Sequence, residues 1–197
     1  MKYILARAQR EFVERFVASP TLLVLDFDGT LAPLAADRAV AAMRPETTGL
    51  LREVSARYPT AVLSGRARSD LVVRLEGTGV RWIVGNYGAE HGDEADGRAL
   101  RAAAQVAAAH ERLAKMLLEA PGLSIEDKRL SLAVRYHNAT DKDAARAAIT
   151  AAAGECWPEA RLIGGRQVVH LLPSGAPHKG DALEVLRLRS GIDTTMY

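Results

Sequence analysis

Two aspartates, Asp26 and Asp28, directly follow an apolar run of strand length at residues 22–25. Carboxylates at the end of a buried strand are costly unless a cation or a substrate lies beside them. The Gly29-Thr30 pair that comes next permits a turn whose backbone N–H groups face an anion. The pattern therefore predicts a divalent cation that holds a phosphate, and it is more specific than an ordinary turn at a strand end.

Two carboxylates at this spacing suit phosphoryl transfer. A carboxylate can attack phosphorus and form an acyl phosphate, which divides one difficult step into two easier ones. A second carboxylate can protonate the leaving alkoxide and then remove a proton from the hydrolytic water. Mg²⁺ suits an oxygen-rich site and neutralises charge on the transferring phosphoryl group.

Two further segments offer phosphate ligands. Ser64-Gly65-Arg66 follows the next predicted strand, where a hydroxyl can donate to a phosphate oxygen, although Ser-Gly pairs at strand ends are common turns. Lys179 lies at the start of a predicted helix, where its charge opposes the helix dipole unless it contacts an anion. His178 beside it is interpreted as a local structural residue.

The elements that must position these residues alternate between strand and helix, and the polar residues follow the strands. This alternation predicts an α/β fold with a parallel sheet, in which ligands bind beyond the carboxyl ends of the strands. The predicted helices cover residues 4–18, 45–57, 71–75 and 179–189, and the predicted strands cover residues 22–25, 61–63 and 80–84.

The character of the chain changes after Glu90. Residues 91–98 are polar and predict a linker, and the following segments predict an inserted α+β domain with an open antiparallel sheet. We expect a core at residues 1–90 and 175–197 and an insert at 91–174. Within the insert, helices are predicted at residues 99–119 and 141–153, and strands at 123–127, 130–136, 161–163 and 167–171.

Composition narrows the class of protein. The chain has 197 residues, of which 48% are hydrophobic and 25% charged, which is typical of a soluble globular protein of one domain or a core plus an insert. The net charge of +2 has no basic run, which argues against a nucleic-acid partner. No apolar stretch is long enough to span a membrane, and the amino-terminal charges argue against a signal peptide. A single cysteine, Cys156, suits a reducing compartment, so we expect a cytoplasmic protein of undetermined oligomeric state.

The Asp26-Phe27-Asp28-Gly29-Thr30 run resembles motif I of the haloacid dehalogenase (HAD) superfamily of phosphohydrolases. The resemblance implies a Rossmann-like core, with Asp26 as nucleophile and Mg²⁺ ligand. It implies that Asp28 is the acid/base and a second Mg²⁺ ligand through its backbone carbonyl. Ser64 resembles motif II and Lys179 motif III, and the implied phosphate-binding residues are Thr30, Ser64, Gly65 and Lys179.

Residues 61–66, 85–90 and 126–132 narrow the resemblance to the trehalose-6-phosphate phosphatase family, over about residues 21–185. The family implies Mg²⁺-dependent hydrolysis of a sugar phosphate, trehalose 6-phosphate first, through an aspartyl phosphate. It also implies a cap that holds the sugar and excludes water. The implied substrate-binding residues are Arg66, Asn86, Glu126, Lys128 and His170.

Two departures from the family pattern leave alternatives open. The family's last cap strand ends Glu-x-Arg-Pro, whereas this chain has His170 and Leu172 at those two positions. We expect no acidic motif IV of the kind that completes the family's metal site, because residues 191–197 end where its strand is expected to begin. The alternatives are a fragment of a longer enzyme, another capped HAD sugar or phosphoglycerate phosphatase, and an inactive truncated homologue that acts as a binding module.

Overall fold

The computed structural model describes residues 7, 10–35, 40–92 and 97–197. The chain forms two compact units, Met1–His91 with Pro177–Tyr197 and Gly92–Ala176, which we call unit 1 and unit 2. The sequence predicts a core and an insert with boundaries at residues 90/91 and 174/175. That these two units are the core and the insert stays a prediction. Within the described residues, no helix is both long and apolar enough to cross a membrane.

Unit 1 is built on a parallel four-stranded sheet with helices. The strands are β1 (Thr21–Leu25), β2 (Thr60–Leu63), β3 (Trp82–Val84) and β8 (Thr194–Met196), and the helices are α1 (Arg10–Ala18), α2 (Pro45–Arg57), α3 (Arg68–Arg74) and α6 (Lys179–Ser190). The strand order in the sheet is β3-β2-β1-β8. The β1 strand pairs with β2 through Val24 and Ala61, and β2 pairs with β3 through Val62 and Ile83.

Apolar side chains cover both faces of this sheet, because alternate residues of a strand point to opposite sides. On one face Leu22 and Leu63 pack with Leu186 of α6. On the other face Val62 packs with Leu51 of α2 and Leu71 of α3. Helices on both faces of a parallel sheet confirm the α/β class predicted from the alternation of elements.

The β8 strand corrects one sequence-based expectation. The sequence was expected to end where this strand begins, but Thr194–Met196 is already a strand beside β1. Its register is parallel, with Thr21 opposite Thr194 and Leu23 opposite Met196. Two β-branched threonines favour the extended conformation, and the edge of β1 supplies the hydrogen-bonding partner that so short a strand requires.

Unit 2 is an antiparallel four-stranded sheet with two helices. The elements are α4 (Gly97–Met116), β4 (Ser124–Asp127), β5 (Leu132–Arg135), α5 (Lys142–Cys156), β6 (Arg161–Gly165) and β7 (Val168–Leu172). The strand order in the sheet is β4-β5-β7-β6. In the central pair of β5 and β7, Val134 lies opposite Val169.

One face of this second sheet packs on both helices. Leu132 and Leu171 of the sheet contact a buried cluster that includes Leu113 of α4 and Ile149 of α5. Cys156 belongs to this cluster, and burial raises the pKa of its thiol. A thiol held in its protonated form among apolar side chains is a core residue and not a nucleophile.

The predicted elements agree with the observed ones to within a few residues at each end. The largest differences are of three residues: α3 begins three residues earlier than predicted, α4 ends three residues earlier and α5 ends three residues later. The helix predicted at residues 4–18 is present as α1 from Arg10, and its residues 4–6 and 8–9 lie outside the described residues.

Candidate functional site

Asp26 and Lys179 form an ion pair where β1 ends. Lys179 Nζ donates to Asp26 Oδ2 over 2.6 Å, although the two residues are 153 positions apart in the chain. The other carboxylate oxygen, Oδ1, accepts the backbone N–H of Phe27 at 2.7 Å. Both side chains are partly exposed, 25% for Lys179 and 32% for Asp26, so the pair remains open to a ligand.

The surroundings of Lys179 keep it cationic. Desolvation by itself lowers the pKa of Lys179, but hydrogen bonds to Asp26 and Tyr197 outweigh that effect, so this pKa stands above its ordinary value. The Tyr197 hydroxyl lies 2.8 Å from Lys179 Nζ. A fixed cation that touches a carboxylate can balance the charge that a phosphate brings to the same place.

Asp28 lies beside a buried arginine. Arg66 Nε is 3.0 Å from Asp28 Oδ2, and Arg66 Nη2 is 2.6 Å from Asp28 Oδ1, which is the fork geometry of a bidentate pair. Arg66 Nη1 donates to Asp70 Oδ2 at 2.8 Å. Desolvation lowers the pKa of Arg66, and its two carboxylate partners more than offset this, so the pKa is raised. Arg66 was predicted to bind substrate; its guanidinium instead contacts Asp28 and Asp70, and substrate contact stays a prediction.

The turn after Asp28 corrects a second expectation. Its N–H groups were expected to face an anion, but Gly29 N donates to the Ala32 carbonyl at 2.8 Å and Thr30 N to the Phe27 carbonyl at 3.3 Å. The turn closes on itself, with Gly29 at φ 86°, a conformation that suits glycine. Thr30 itself is exposed, so its hydroxyl is the group left as a predicted phosphate ligand.

Ser64 and Gly65 follow β2 and pack against the loop after β3. Ser64 is buried, and its Oγ accepts the Arg66 backbone N–H at 3.3 Å. A Cβ on Gly65 would lie 2.5 Å from the Tyr87 ring, so a larger residue at this position would require that ring to move. Asn86 is fully buried, and its N–H donates to the Arg66 carbonyl at 2.7 Å. Phosphate binding by Ser64 and Gly65 and substrate binding by Asn86 stay predictions.

The remaining predicted residues belong to unit 2. Glu126 lies opposite Ala133, which lies opposite His170, so Glu126 and His170 share the sheet face that does not carry the α4 and α5 core. Glu126 accepts from Arg135 Nη2 at 2.6 Å. Lys128 is buried in the tight turn after β4. Their contact with a substrate stays a prediction.

The oxygen ligands in unit 1 suit a Mg²⁺ ion that is bound by only a few protein atoms. Mg²⁺ in phosphoryl-transfer sites keeps several waters and uses one or two carboxylates together with substrate phosphates. Each Asp26 oxygen accepts one hydrogen bond and retains a lone pair, whereas the Asp28 carboxylate faces Arg66. In the part of the chain that the structure describes, no group of three or more His, Cys, Asp or Glu side chains could hold a metal. Metal binding by Asp26 and by the Asp28 carbonyl stays a prediction.

Sequence reasoning missed Asp70 and Tyr197. Asp70 lies four residues after Arg66 and four before Arg74, and it contacts both. Opposite charges at this spacing share one face of a helix, which was a readable signal. Nothing in the sequence around Tyr197 indicated its contact with Lys179, because that contact depends on β8 lying beside β1.

A parallel sheet between helices, with two aspartates after its first strand, is the architecture of the HAD-like fold. A HAD-like hydrolase of B. subtilis superposes with a TM-score of 0.50 at 16% identity, over 87% of this chain and 79% of that one. The sequence model of the trehalose-phosphatase family matches residues 24–197. The chain therefore belongs to the trehalose-phosphatase family.

Individual relatives agree with this assignment. The trehalose-phosphate phosphatase of Mycobacterium tuberculosis strain H37Rv is 33% identical over 85% of this chain and 44% of its own length. That of Mycobacterium avium strain 104 is 34% identical over 87% of this chain and 46% of its own length. This chain thus spans less than half of either relative.

The fold is also that of solved structures from the family. The C-terminal domain of trehalose-6-phosphate phosphatase from C. albicans has a TM-score of 0.77 at 19% identity, over 91% of this chain and 66% of that one. A trehalose-6-phosphate phosphatase related protein has a TM-score of 0.70 at 21% identity, over 84% of this chain and 73% of that one. At these identities the likeness supports the fold.

Proposed function

We propose that this chain is a Mg²⁺-dependent phosphatase that hydrolyses trehalose 6-phosphate to trehalose and phosphate. The observation that carries the proposal is the Lys179–Asp26 ion pair of 2.6 Å, at the end of the strand that also leads to Asp28. A nucleophile, a fixed cation and a second carboxylate at one strand end suit phosphoryl transfer. The names of the mycobacterial relatives support the choice of substrate.

In the first step, an Asp26 oxygen attacks phosphorus while the bond from phosphorus to the sugar oxygen breaks. The electron pair of that bond leaves with the sugar oxygen, and Asp28 supplies the proton that makes it a hydroxyl. The products are free sugar and an acyl phosphate on Asp26.

In the second step, water attacks the phosphorus of the acyl phosphate. Asp28, now a carboxylate, takes the proton of that water. The bond from phosphorus to the Asp26 oxygen breaks, which restores the Asp26 carboxylate and releases inorganic phosphate.

Lys179 holds the transferring phosphoryl group together with the hydroxyls of Thr30 and Ser64, and Gly65 is a further proposed phosphate-binding residue. Asp26 and the Asp28 carbonyl would hold Mg²⁺, which would supply charge neutralisation for the phosphate oxygens. Lys179 serves the same purpose from the protein side, because its ammonium already touches the nucleophile.

The sugar is the part of the substrate that unit 2 recognises in this proposal. Unit 1 acts as the HAD-like core and unit 2 as its cap. Glu126, Lys128 and His170 of unit 2 are the proposed sugar-binding residues, and Asn86 of unit 1 is a further proposed substrate-binding residue. The cytoplasmic location, the small-molecule partner and the absence of nucleic-acid and membrane partners also stay predictions, which fractionation and binding assays test.

The experiment is a phosphate-release assay on trehalose 6-phosphate, with Mg²⁺ or with EDTA, on the wild-type chain and on Asp26→Asn. We expect release that EDTA abolishes and that Asp26→Asn lowers by at least about 10³-fold, since the amide cannot form the acyl phosphate. Acid-quench trapping of a phosphorylated protein tests the intermediate. Binding without turnover would reject the enzyme and favour the binding-module alternative, and turnover of other sugar phosphates alone would reject the substrate.

A further inference from the structure

We propose that Arg66 and Asp70 are positioning residues: Asp70 anchors the Arg66 guanidinium, which in turn holds the Asp28 carboxylate in place for proton transfer. This inference rests on the proposed function, because it concerns the proton-transferring group of that reaction. It assigns Arg66 a role other than the substrate contact predicted from the sequence, and it adds Asp70 to the site.

The guanidinium uses different edges for the two carboxylates. Nε and Nη2 face Asp28, at 3.0 Å from Oδ2 and 2.6 Å from Oδ1. Nη1 faces Asp70 Oδ2 at 2.8 Å. Because a guanidinium is planar and rigid, fixing the Nη1 edge on Asp70 also fixes the direction of the opposite fork. The orientation of the Asp28 side chain therefore depends on a residue that does not touch it.

Burial beside an aromatic ring also restricts the same arginine. Arg66 is 5% exposed, and its Cζ lies over the Phe27 ring, 5.0 Å from the ring centroid. Phe27 is itself fully buried, between the two aspartates in the sequence. A buried guanidinium over an aromatic ring has few alternative rotamers, so its hydrogen bonds to Asp28 cost little further conformational entropy.

Asp70 is held in place by a second arginine. Asp70 Oδ1 accepts from Arg74 Nε at 2.8 Å, and Arg74 also donates to the Ala41 carbonyl. Charges thus alternate along Asp28, Arg66, Asp70 and Arg74, from the end of β1 to the end of α3. An alternating chain of this kind stabilises one arrangement of each member, which is what a group that must move a proton along a fixed line requires.

The test separates the two chemical steps by choice of substrate. Trehalose 6-phosphate needs a proton on its leaving group, whereas p-nitrophenyl phosphate releases a phenolate that does not. Hydrolysis of the acyl phosphate needs Asp28 with either substrate. A misplaced Asp28 therefore predicts slow turnover of the sugar phosphate, and a rapid burst of nitrophenolate followed by a slow steady state.

The variants are Arg66→Lys, which keeps the charge and loses the fork, and Asp70→Asn, which keeps the shape and loses the anchoring charge. We expect kcat on trehalose 6-phosphate to fall by about 100-fold for Arg66→Lys and about tenfold for Asp70→Asn. Both should show a nitrophenolate burst equal to the enzyme concentration. Asp70→Asn is isosteric, so it carries the test if Arg66→Lys does not fold.

The matched control is Arg187→Lys, the same chemical change at an arginine of unit 1 that pairs with Glu184 and Asp193. Its kcat on both substrates should stay within about twofold of wild type. An equal loss in the control would show that arginine-to-lysine changes act through general destabilisation, and would overturn the proposal.

The remaining outcomes are also decisive. A burst amplitude that falls in parallel with turnover would mean that Arg66 supports only the folded state. A rise in KM for trehalose 6-phosphate with unchanged kcat would place Arg66 on the substrate instead. If the wild-type chain turns over neither substrate, the proposed function fails and this inference fails with it. If the wild-type chain is active and the variants are unaffected, only the positioning role is overturned.

Discussion

Gly85, which follows β3, is a position where one added methyl group should destabilise unit 1. An ideal Cβ there would lie 2.4 Å from the Arg68 backbone nitrogen and 2.8 Å from the Arg68 Cα. It would also lie 2.7 Å from Glu90 Oε2, which accepts the Arg68 N–H at 2.6 Å. Gly85→Ala therefore pushes on the backbone at the start of α3 and on the carboxylate that caps it.

The cost has two parts. Carbon atoms pack best at about 3.5–4.0 Å, so the start of α3 must retreat by about 1 Å, and overpacking of this kind costs about 1–3 kcal/mol. Weakening the hydrogen bond from Arg68 to Glu90 costs about 0.5–1.5 kcal/mol more. The sum is about 2–4 kcal/mol, which at about 2–4 °C per kcal/mol for a chain of this size lowers Tm by about 5–15 °C.

Tryptophan fluorescence can follow unit 1 alone. The chain has two tryptophans, Trp82 on β3 in unit 1 and Trp157 in the core of unit 2. In a Trp157→Phe background, the emission of Trp82 reports the melting of the sheet three residues from Gly85. Thermal melts of this background with and without Gly85→Ala give the change in Tm.

Gly49→Ala is the matched control, because Gly49 lies inside α2 and a Cβ there has no neighbour within 4 Å. Alanine is the better helix former, so this variant should raise stability by about 0.5–1 kcal/mol. A Gly85→Ala melt within about 2 °C of its parent would refute the steric argument, since that shift corresponds to less than about 1 kcal/mol. A Gly49→Ala loss as large as that of Gly85→Ala would refute it too.

Three other measurements test local features. The Asp141 side chain accepts two backbone N–H groups of α5 at 2.9 and 3.0 Å, so Asp141→Ala should cost about 0.5–2 kcal/mol in urea unfolding of unit 2, and no loss would show that this cap is dispensable. Burial lowers the pKa of His91 below its ordinary value, so protonation favours the unfolded chain and stability falls as pH drops below the unfolded pKa of about 6.5. The loss of Tm on acidification below that pH should therefore be smaller in His91→Asn than in wild type, and an equal loss would contradict the assignment. The Cys156 thiol should react with Ellman's reagent only as unit 2 unfolds, because it is buried and its pKa is raised; rapid reaction of the native chain would contradict this.

The fold could be predicted from local patterns. An apolar run followed by polar residues marks the carboxyl end of a buried strand, and parallel strands align those ends. This rule predicted the parallel sheet and the polar residues after its strands, because each pattern lies within one element and needs no knowledge of the partner. Lys179 was expected beside Asp26 from its resemblance to motif III, and the structure brings the two side chains into contact.

The expectations that were wrong depended on geometry between elements or within one turn. The N–H groups of Gly29 and Thr30 close their own turn, since carbonyls three residues away satisfy them before any ligand does. The β8 strand was not predicted because its three residues have no periodic pattern, and its stability comes from the edge of β1. Neither fact can be read from the residue types.

The sequence by itself determined the class of fold, the family and the two candidate catalytic carboxylates, because these follow from residue type and spacing along one strand and its turn. Only the tertiary structure showed that the Asp28 carboxylate pairs with Arg66 and that the Asp26 carboxylate is in direct contact with Lys179. Lys179 lies 153 residues from Asp26 and Arg66 lies 38 residues from Asp28, and both contacts form where separate elements meet. Differences of a few ångströms determine which charged side chains pair with each other. The packing of the sheet and its helices fixes these distances, whereas the order of the residues does not.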